Sequence, residues 1–238
     1  MNDAAVIAAA ELMAPRGSLG ALRDFYVGCL GFSAAPASGA GLQLRAGPAS
    51  IRFEPTAAAQ QPFYHFALLV PGNRFAAAAS WAGRCAGLLS RPGETTTTFR
   101  FRAWDAEACY LHDPAGNIVE LIAHRGVAER VDGRGEDPPF SAAEIAGVSE
   151  VGLVVSDPPD AARTLAAAGV PLWSGTAEGE AALAFVGRQA HTLILCRPGR
   201  PWLPTQRPAE LHPAAVTIAA PGGRSLTAAV RDGRLAVR

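Results

Sequence analysis

From Val6 to Ala14 every position is apolar except Glu11, which predicts a strand. The period then changes. Leu19, Leu22, Tyr26 and Cys29/Leu30 recur every three to four residues, predicting a helix over 18–30 with Ser18 as cap and Gly31 just past its end. Two short strands follow, Leu42–Ala46 and Ser50–Glu54, joined at Gly47-Pro48, with room for a further short strand before them. The order β-α-β-β then starts again. Phe63–Val70 reads as a strand, and Pro71-Gly72 ends it. Asn73 opens a helix to about Leu89, with Phe75, Ala78, Trp81, Cys85 and Leu88 on one side. Thr95–Trp104 alternates, with Phe99 and Phe101 facing one way and Arg100, Arg102 and Trp104 the other. Strands Cys109–His112 and Ile118–Ala123 flank the tight turn Asp113-Pro114-Ala115-Gly116-Asn117.

Residues 126–139, rich in Gly, Pro and charge, read as a linker or surface loop, and a third unit follows. Val148–Val155 is its first strand, Asp157-Pro158 opens a helix that Gly169 closes, and strands lie near Ala182–Val186 and Thr192–Cys196. Three more strands end the chain, Ala215–Ala220, Ser225–Val230 and Leu235–Val237. A unit of roughly fifty to seventy residues thus occurs three times. The division expected is 1–125, a 126–139 linker, and 140–238 as a degenerate module with extra strands.

Composition narrows the function classes. The 238 residues carry 21 basic and 21 acidic side chains, with no basic cluster of the kind that neutralises phosphates, so a nucleic-acid partner is not expected. No run approaches the ~20 apolar residues of a membrane span, and the N-terminus lacks the pattern of a secretory signal. A soluble, cytoplasmic protein without a membrane partner is the expectation. The four cysteines (Cys29, Cys85, Cys109, Cys196) form no C-x-x-C pair and read as small buried thiols.

Two segments resemble a known family. Phe25-Tyr26 followed by Leu30-Gly31-Phe32 is similar to the signature ending the first helix of vicinal oxygen chelate proteins. That superfamily includes glyoxalases, bleomycin-resistance proteins and ring-cleaving dioxygenases. Asp113-Pro114-Ala115-Gly116-Asn117-Ile118-Val119-Glu120-Leu121 is similar to its last hairpin. The resemblance covers about the first 125 residues. It implies an α+β fold in which paired βαβββ modules form an open, cup-shaped sheet, here followed by a C-terminal degenerate third module.

The resemblance also implies a divalent metal held by first-strand residues of two modules and a last-strand residue of the second. Those positions fall on Glu11, His65 and Glu120. One imidazole and two carboxylates suit Fe, Mn, Ni or Zn, and three protein ligands leave room for substrate. Tyr110 matches an active-site tyrosine of the dioxygenases, or is a core residue. The second-shell histidine of those enzymes is missing, which counts against ring cleavage. Arg102 and Trp104 are candidates for substrate contact, or for a solvated outer face. Glu150 stands on the third unit's first strand, but with no DPxGN…E hairpin to follow it is read as vestigial. The Arg197–Thr205 segment, with three prolines and Trp202, is a lid or a docking strap. The expected function is a metal-dependent lyase, isomerase or dioxygenase acting on a small-molecule substrate with vicinal oxygens. The alternative is a non-catalytic binding protein. Single-domain relatives commonly pair, so a homodimer is among the assemblies the resemblance allows.

Overall fold

The computed structural model describes residues 5–35, 39–57, 60–129 and 138–238. Its first module runs β1 (Val6–Ala14), α1 (Leu19–Arg23), β2 (Ala34–Ala35), β3 (Leu42–Ala46) and β4 (Ala49–Pro55). The helix is longer than α1, because Arg16–Ser18 precede it as a 3₁₀ turn and Asp24–Cys29 continue it with π geometry. Gly31, at φ +76°, closes it as the sequence predicts.

The second module is β5 (His65–Leu69), α2 (Phe75–Gly83), β6 (Thr98–Phe101), β7 (Ala106–His112) and β8 (Ile118–His124). The third is β9 (Gly147–Val154), α3 (Pro158–Ala167), β10 (Leu172–Thr176), β11 (Leu183–Arg188) and β12 (His191–Cys196). Asp157 caps α3 by accepting from the Asp160 amide at 3.0 Å. A two-rung hairpin, β13 (Pro201–Trp202) and β14 (Arg207–Pro208), leads to a meander of β15 (Ala214–Ala219), β16 (Ser225–Arg231) and β17 (Arg234–Val237). Of the expected linker, residues 130–137 lie outside the described residues.

The modules pair, as the fold class expects, but the partners are the second and third rather than the first and second. One sheet has the order β17-β16-β15-β1-β4-β3-β2, joining the first module to the terminal meander. The other has the order β10-β11-β12-β9-β5-β8-β7-β6, joining the third module to the second through the antiparallel β5–β9 pair. Each sheet therefore draws strands from both sides of residues 126–139, so the division at that point does not describe the sheets. In the eight-stranded sheet, both modules run outward from the seam in the same internal order, a local two-fold repeat.

Burial explains the arrangement. In β1, Ala10, Leu12 and Ala14 are buried while Glu11 is exposed. The buried face joins Ile51 and Phe53 of β4, Val216 and Ile218 of β15, and Leu68, Val151 and Leu193 of the other sheet in one core, with the helices packed against it. Every residue of β5, β8 and β9 is buried, so the middle of the eight-stranded sheet is covered on both faces. Its second face carries a separate cluster that includes Phe63, Ala67, Tyr110, Phe185, Ile194 and Trp202.

The two signature segments touch. Tyr26 of the first donates to Asp113 Oδ2 of the second at 2.9 Å. Asp113 also accepts from the Ala115 and Asn117 amides (2.9 and 3.0 Å) and from Asn117 Nδ2 (2.8 Å). Asn117 Oδ1 in turn accepts from the Tyr64 amide at 2.8 Å, which fixes the entry to β5. Cys29 and Cys85, expected as separate thiols, form a disulfide (Cα–Cα 5.8 Å), because the first helix and the chain leaving α2 end side by side. Cys109 and Cys196 are buried free thiols, as predicted. Among the described residues no helix is long and apolar enough to cross a membrane.

Candidate metal centre

Strand register builds the site. Tyr110 of β7 pairs with Glu120 of β8, Glu120 with Ala67 of β5, Ala67 with Glu150 of β9, and Glu150 with Thr192 of β12. These residues form one row across five strands. The methyl group of Ala67 leaves open the space between the two carboxylates. His65 projects from the same face of β5, two residues earlier. One ligand atom each from His65, Glu120 and Glu150 lies within 4.8 Å of the others, and all three residues are buried.

The protonation pattern suits a cation. The Nδ1 atom of His65 is 3.2 Å from the Ile118 carbonyl oxygen, which can only accept, so the ring proton belongs on Nδ1 and Nε2 presents a lone pair. That lone pair faces Glu120 Oε2 at 3.3 Å. A proton or a bound cation between the two atoms satisfies that contact. Burial pushes the Glu150 carboxyl well above its ordinary range, and the neighbouring Glu120 charge adds to the shift. A divalent ion would offset the burial of the paired carboxylates, and the N/O donor set suits a first-row metal. Tyr110 donates to Glu120 Oε1 at 3.0 Å, and burial, then the Glu120 charge, raises its pKa, so it stays a neutral phenol.

A cleft of about 230 Å³ opens over these groups, lined chiefly by Phe101, Trp104, Phe185, Ile194, Trp202 and Leu203. Trp202 lies on the His65 ring with centroids 5.0 Å apart. Its seat requires Gly152, in the β9 position opposite His65, since a Cβ there would stand 2.8 Å from Trp202 Cη2. The Arg197–Thr205 segment is thus docked and also walls the cleft. Arg207, just beyond it, lies 3.3 Å above the Phe63 ring and donates to the Gly116 carbonyl at 3.0 Å.

Of the residues expected from sequence, His65, Glu120, Tyr110 and Trp104 meet in this cleft. Glu11 does not. It lies exposed in the other sheet, paired with Ala215 and Arg52, because β1 joins β15 and β4 rather than β5. Its expected place is taken by Glu150, which the missing hairpin had made look vestigial. Arg102 also stays outside. The alternating run ends at Phe101, and Arg102–Trp104 form a 3₁₀ turn closed by Asp105 at φ +44°. That turn leaves Arg102 exposed and swings Trp104 inward against Phe185, at 4.5 Å between ring centroids. Arg200 and Trp202 of the strap were not singled out as site residues. The signal for Glu150 was its setting in Val148–Val155, a run apolar on both faces, where a carboxylate needs a partner.

No protein-family model and no curated protein matches the chain by sequence. Solved structures do match by shape. Glyoxalase I from Zea mays aligns over 98% of this chain and 91% of its own, at 15% identity and a TM-score of 0.53. A provisionally named dioxygenase from Bacillus subtilis subsp. subtilis str. 168 aligns over 99% of this chain and 69% of its own, at 16% identity and a TM-score of 0.52. At such identities the likeness shows the fold alone: mixed α+β, with repeated strand modules and a curled open sheet.

Proposed function

We propose that this chain, built on the vicinal oxygen chelate fold, is a metal-dependent enzyme whose divalent ion is held by His65, Glu120 and Glu150. The observation that carries this reading is the convergence of those three buried ligand atoms at the floor of an accessible cleft. The substrate is a small molecule with adjacent oxygens. A bound divalent cation supplies Lewis acidity, polarising a substrate carbonyl.

The chain's own groups do the rest. The Ile118 carbonyl holds His65 in the tautomer that leaves Nε2 free to bind. Tyr110, neutral and tied to Glu120, keeps a phenolic proton beside the site. Trp202 and Leu203 exclude water from one side of the cleft, which strengthens every electrostatic interaction within it. The Phe101–Asp105 stretch carries no histidine where the ring-cleaving dioxygenases of the resembling family have one, which supports placing the reaction among isomerisations or lyase-type eliminations rather than ring cleavage.

Elemental analysis of purified protein tests the site. The expected result is about one divalent ion per chain in the wild type and in Glu11→Ala. Glu120→Ala and Glu150→Ala lose it. Metal retained in Glu150→Ala, or lost in Glu11→Ala, refutes this ligand set.

A further inference from the structure

The cleft that carries the proposed site has walls mainly of carbon, yet its rim holds one arginine, Arg200. Its backbone is clamped on both sides: the Ala209 amide donates to the Arg200 carbonyl at 2.7 Å, and the neighbouring Gly199 amide donates to the Ala209 carbonyl at 2.8 Å. The guanidinium spends one contact on the Pro201 carbonyl at 3.0 Å. No acidic side chain pairs with it among the described residues. Most of its five N–H donors are therefore open to a ligand, in the planar fork that suits a carboxylate.

Charge balance points the same way. Two carboxylates and a divalent ion sum to zero, so the metal centre alone does not attract an anion. An arginine at the rim adds one positive charge to an otherwise neutral cleft. The flanking Trp104, Phe185 and Trp202 offer flat apolar surfaces, and a volume of about 230 Å³ fits one ring with a short chain.

Resting on the metal-site reading above, we infer that the substrate is a small organic anion with a flat apolar body, its acid group held by Arg200. Arg200 is thereby the residue that selects acids over neutral molecules of the same shape. Phenylglyoxylate and its methyl ester are suitable probes, because both carry adjacent oxygens and one ring, and only the first is charged. Calorimetric titration is run on the full chain, Mn(II)-loaded and after chelation, with metal content measured on each sample.

The acid is expected to bind at least tenfold tighter than the ester. Arg200→Met should abolish that preference, leaving ester affinity within twofold and metal content unchanged, while Arg200→Lys keeps part of it. Equal affinity for acid and ester, no acid binding at millimolar concentration, or an undiminished preference in a folded Arg200→Met overturns the inference. Failure of the metal reading looks different: no bound metal, with the Arg200-dependent preference still measurable in the chelated protein.

Discussion

Gly152→Ala is the sharpest test of how the strap is seated over the site. The new Cβ would meet Trp202 Cη2 at 2.8 Å, Trp202 Cζ2 at 3.1 Å and the His65 carbonyl oxygen at 3.1 Å. Carbon atoms pack at about 3.5–4.0 Å, so the indole must retreat by roughly 0.7 Å or more. It has little room, being 4% exposed and already packed against His65. Overpacking of this kind costs about 1–3 kcal/mol. Reduced freedom of the unfolded chain returns about 0.4–1 kcal/mol, since Gly152 does not occupy the left-handed region. The net expectation is a loss of about 1–2 kcal/mol.

Both clashing indole atoms belong to the six-membered ring, which the Trp202→Phe variant repositions and shortens. In that background Gly152→Ala should cost less than about 0.5 kcal/mol, a coupling of about 0.5–1.5 kcal/mol against an additivity error of about 0.3–0.5 kcal/mol. Denaturant unfolding of the four proteins measures it. Equal costs in the two backgrounds would refute the claim that Trp202 packs on β9 over the proposed metal ligands.

Three further outcomes are expected. Asp113→Ala removes an acceptor used by four donors and should destabilise the chain by about 3–5 kcal/mol, against about 1–2 kcal/mol for Tyr26→Phe, with metal content unchanged in the folded fraction. Cys29→Ser with Cys85→Ser opens a cross-link spanning 56 residues and should lower unfolding stability by about 4 kcal/mol; four titratable thiols in the denatured, unreduced wild type would contradict the bond itself. Burial, then the Arg188 charge, holds the His191 pKa down to about 4, with His124 a smaller like influence. The unfolded chain thus binds the extra proton between the two pKa values, so stability is full above about pH 6.5 and falls toward pH 4, by about 1–2 kcal/mol after allowing for partial exposure. His191→Gln should flatten that slope in acid-unfolding curves, and an unchanged slope would count against it.

Local structure was largely legible in the sequence, because period and punctuation are local. The helix opened by Asp157-Pro158, the stop at Gly31 and the Asp113–Asn117 turn follow from residues a few positions apart. Two of the three proposed ligands were legible too, because His65 and Glu120 lie within one module, at positions set by its own hairpin. The third was not. Which module stands beside which is decided by long-range strand pairing, and both Val6–Ala14 and Val148–Val155 offer an apolar strand with one carboxylate. The difference lies in side-chain size. Between its larger residues β1 has alanines and an exposed Glu11, suiting a strand covered on one face, whereas β9 is buried throughout. Arg102 takes the solvated alternative, and it parts from Trp104 for a local reason: nothing in Phe101-Arg102-Ala103-Trp104 announces that alternation yields to a 3₁₀ turn.

The seam between β5 and β9 also makes the protein divisible. His65 and Glu120 lie before residues 130–137 and Glu150 after them, and each sheet is likewise assembled from strands on both sides. A chain severed within that stretch would yield two polypeptides, each holding an incomplete ligand set and unsatisfied strand edges that only the other can cover. Co-expressed, they should reassemble as a heterodimer in which metal capture reports association, making the protein its own two-component sensor of proximity.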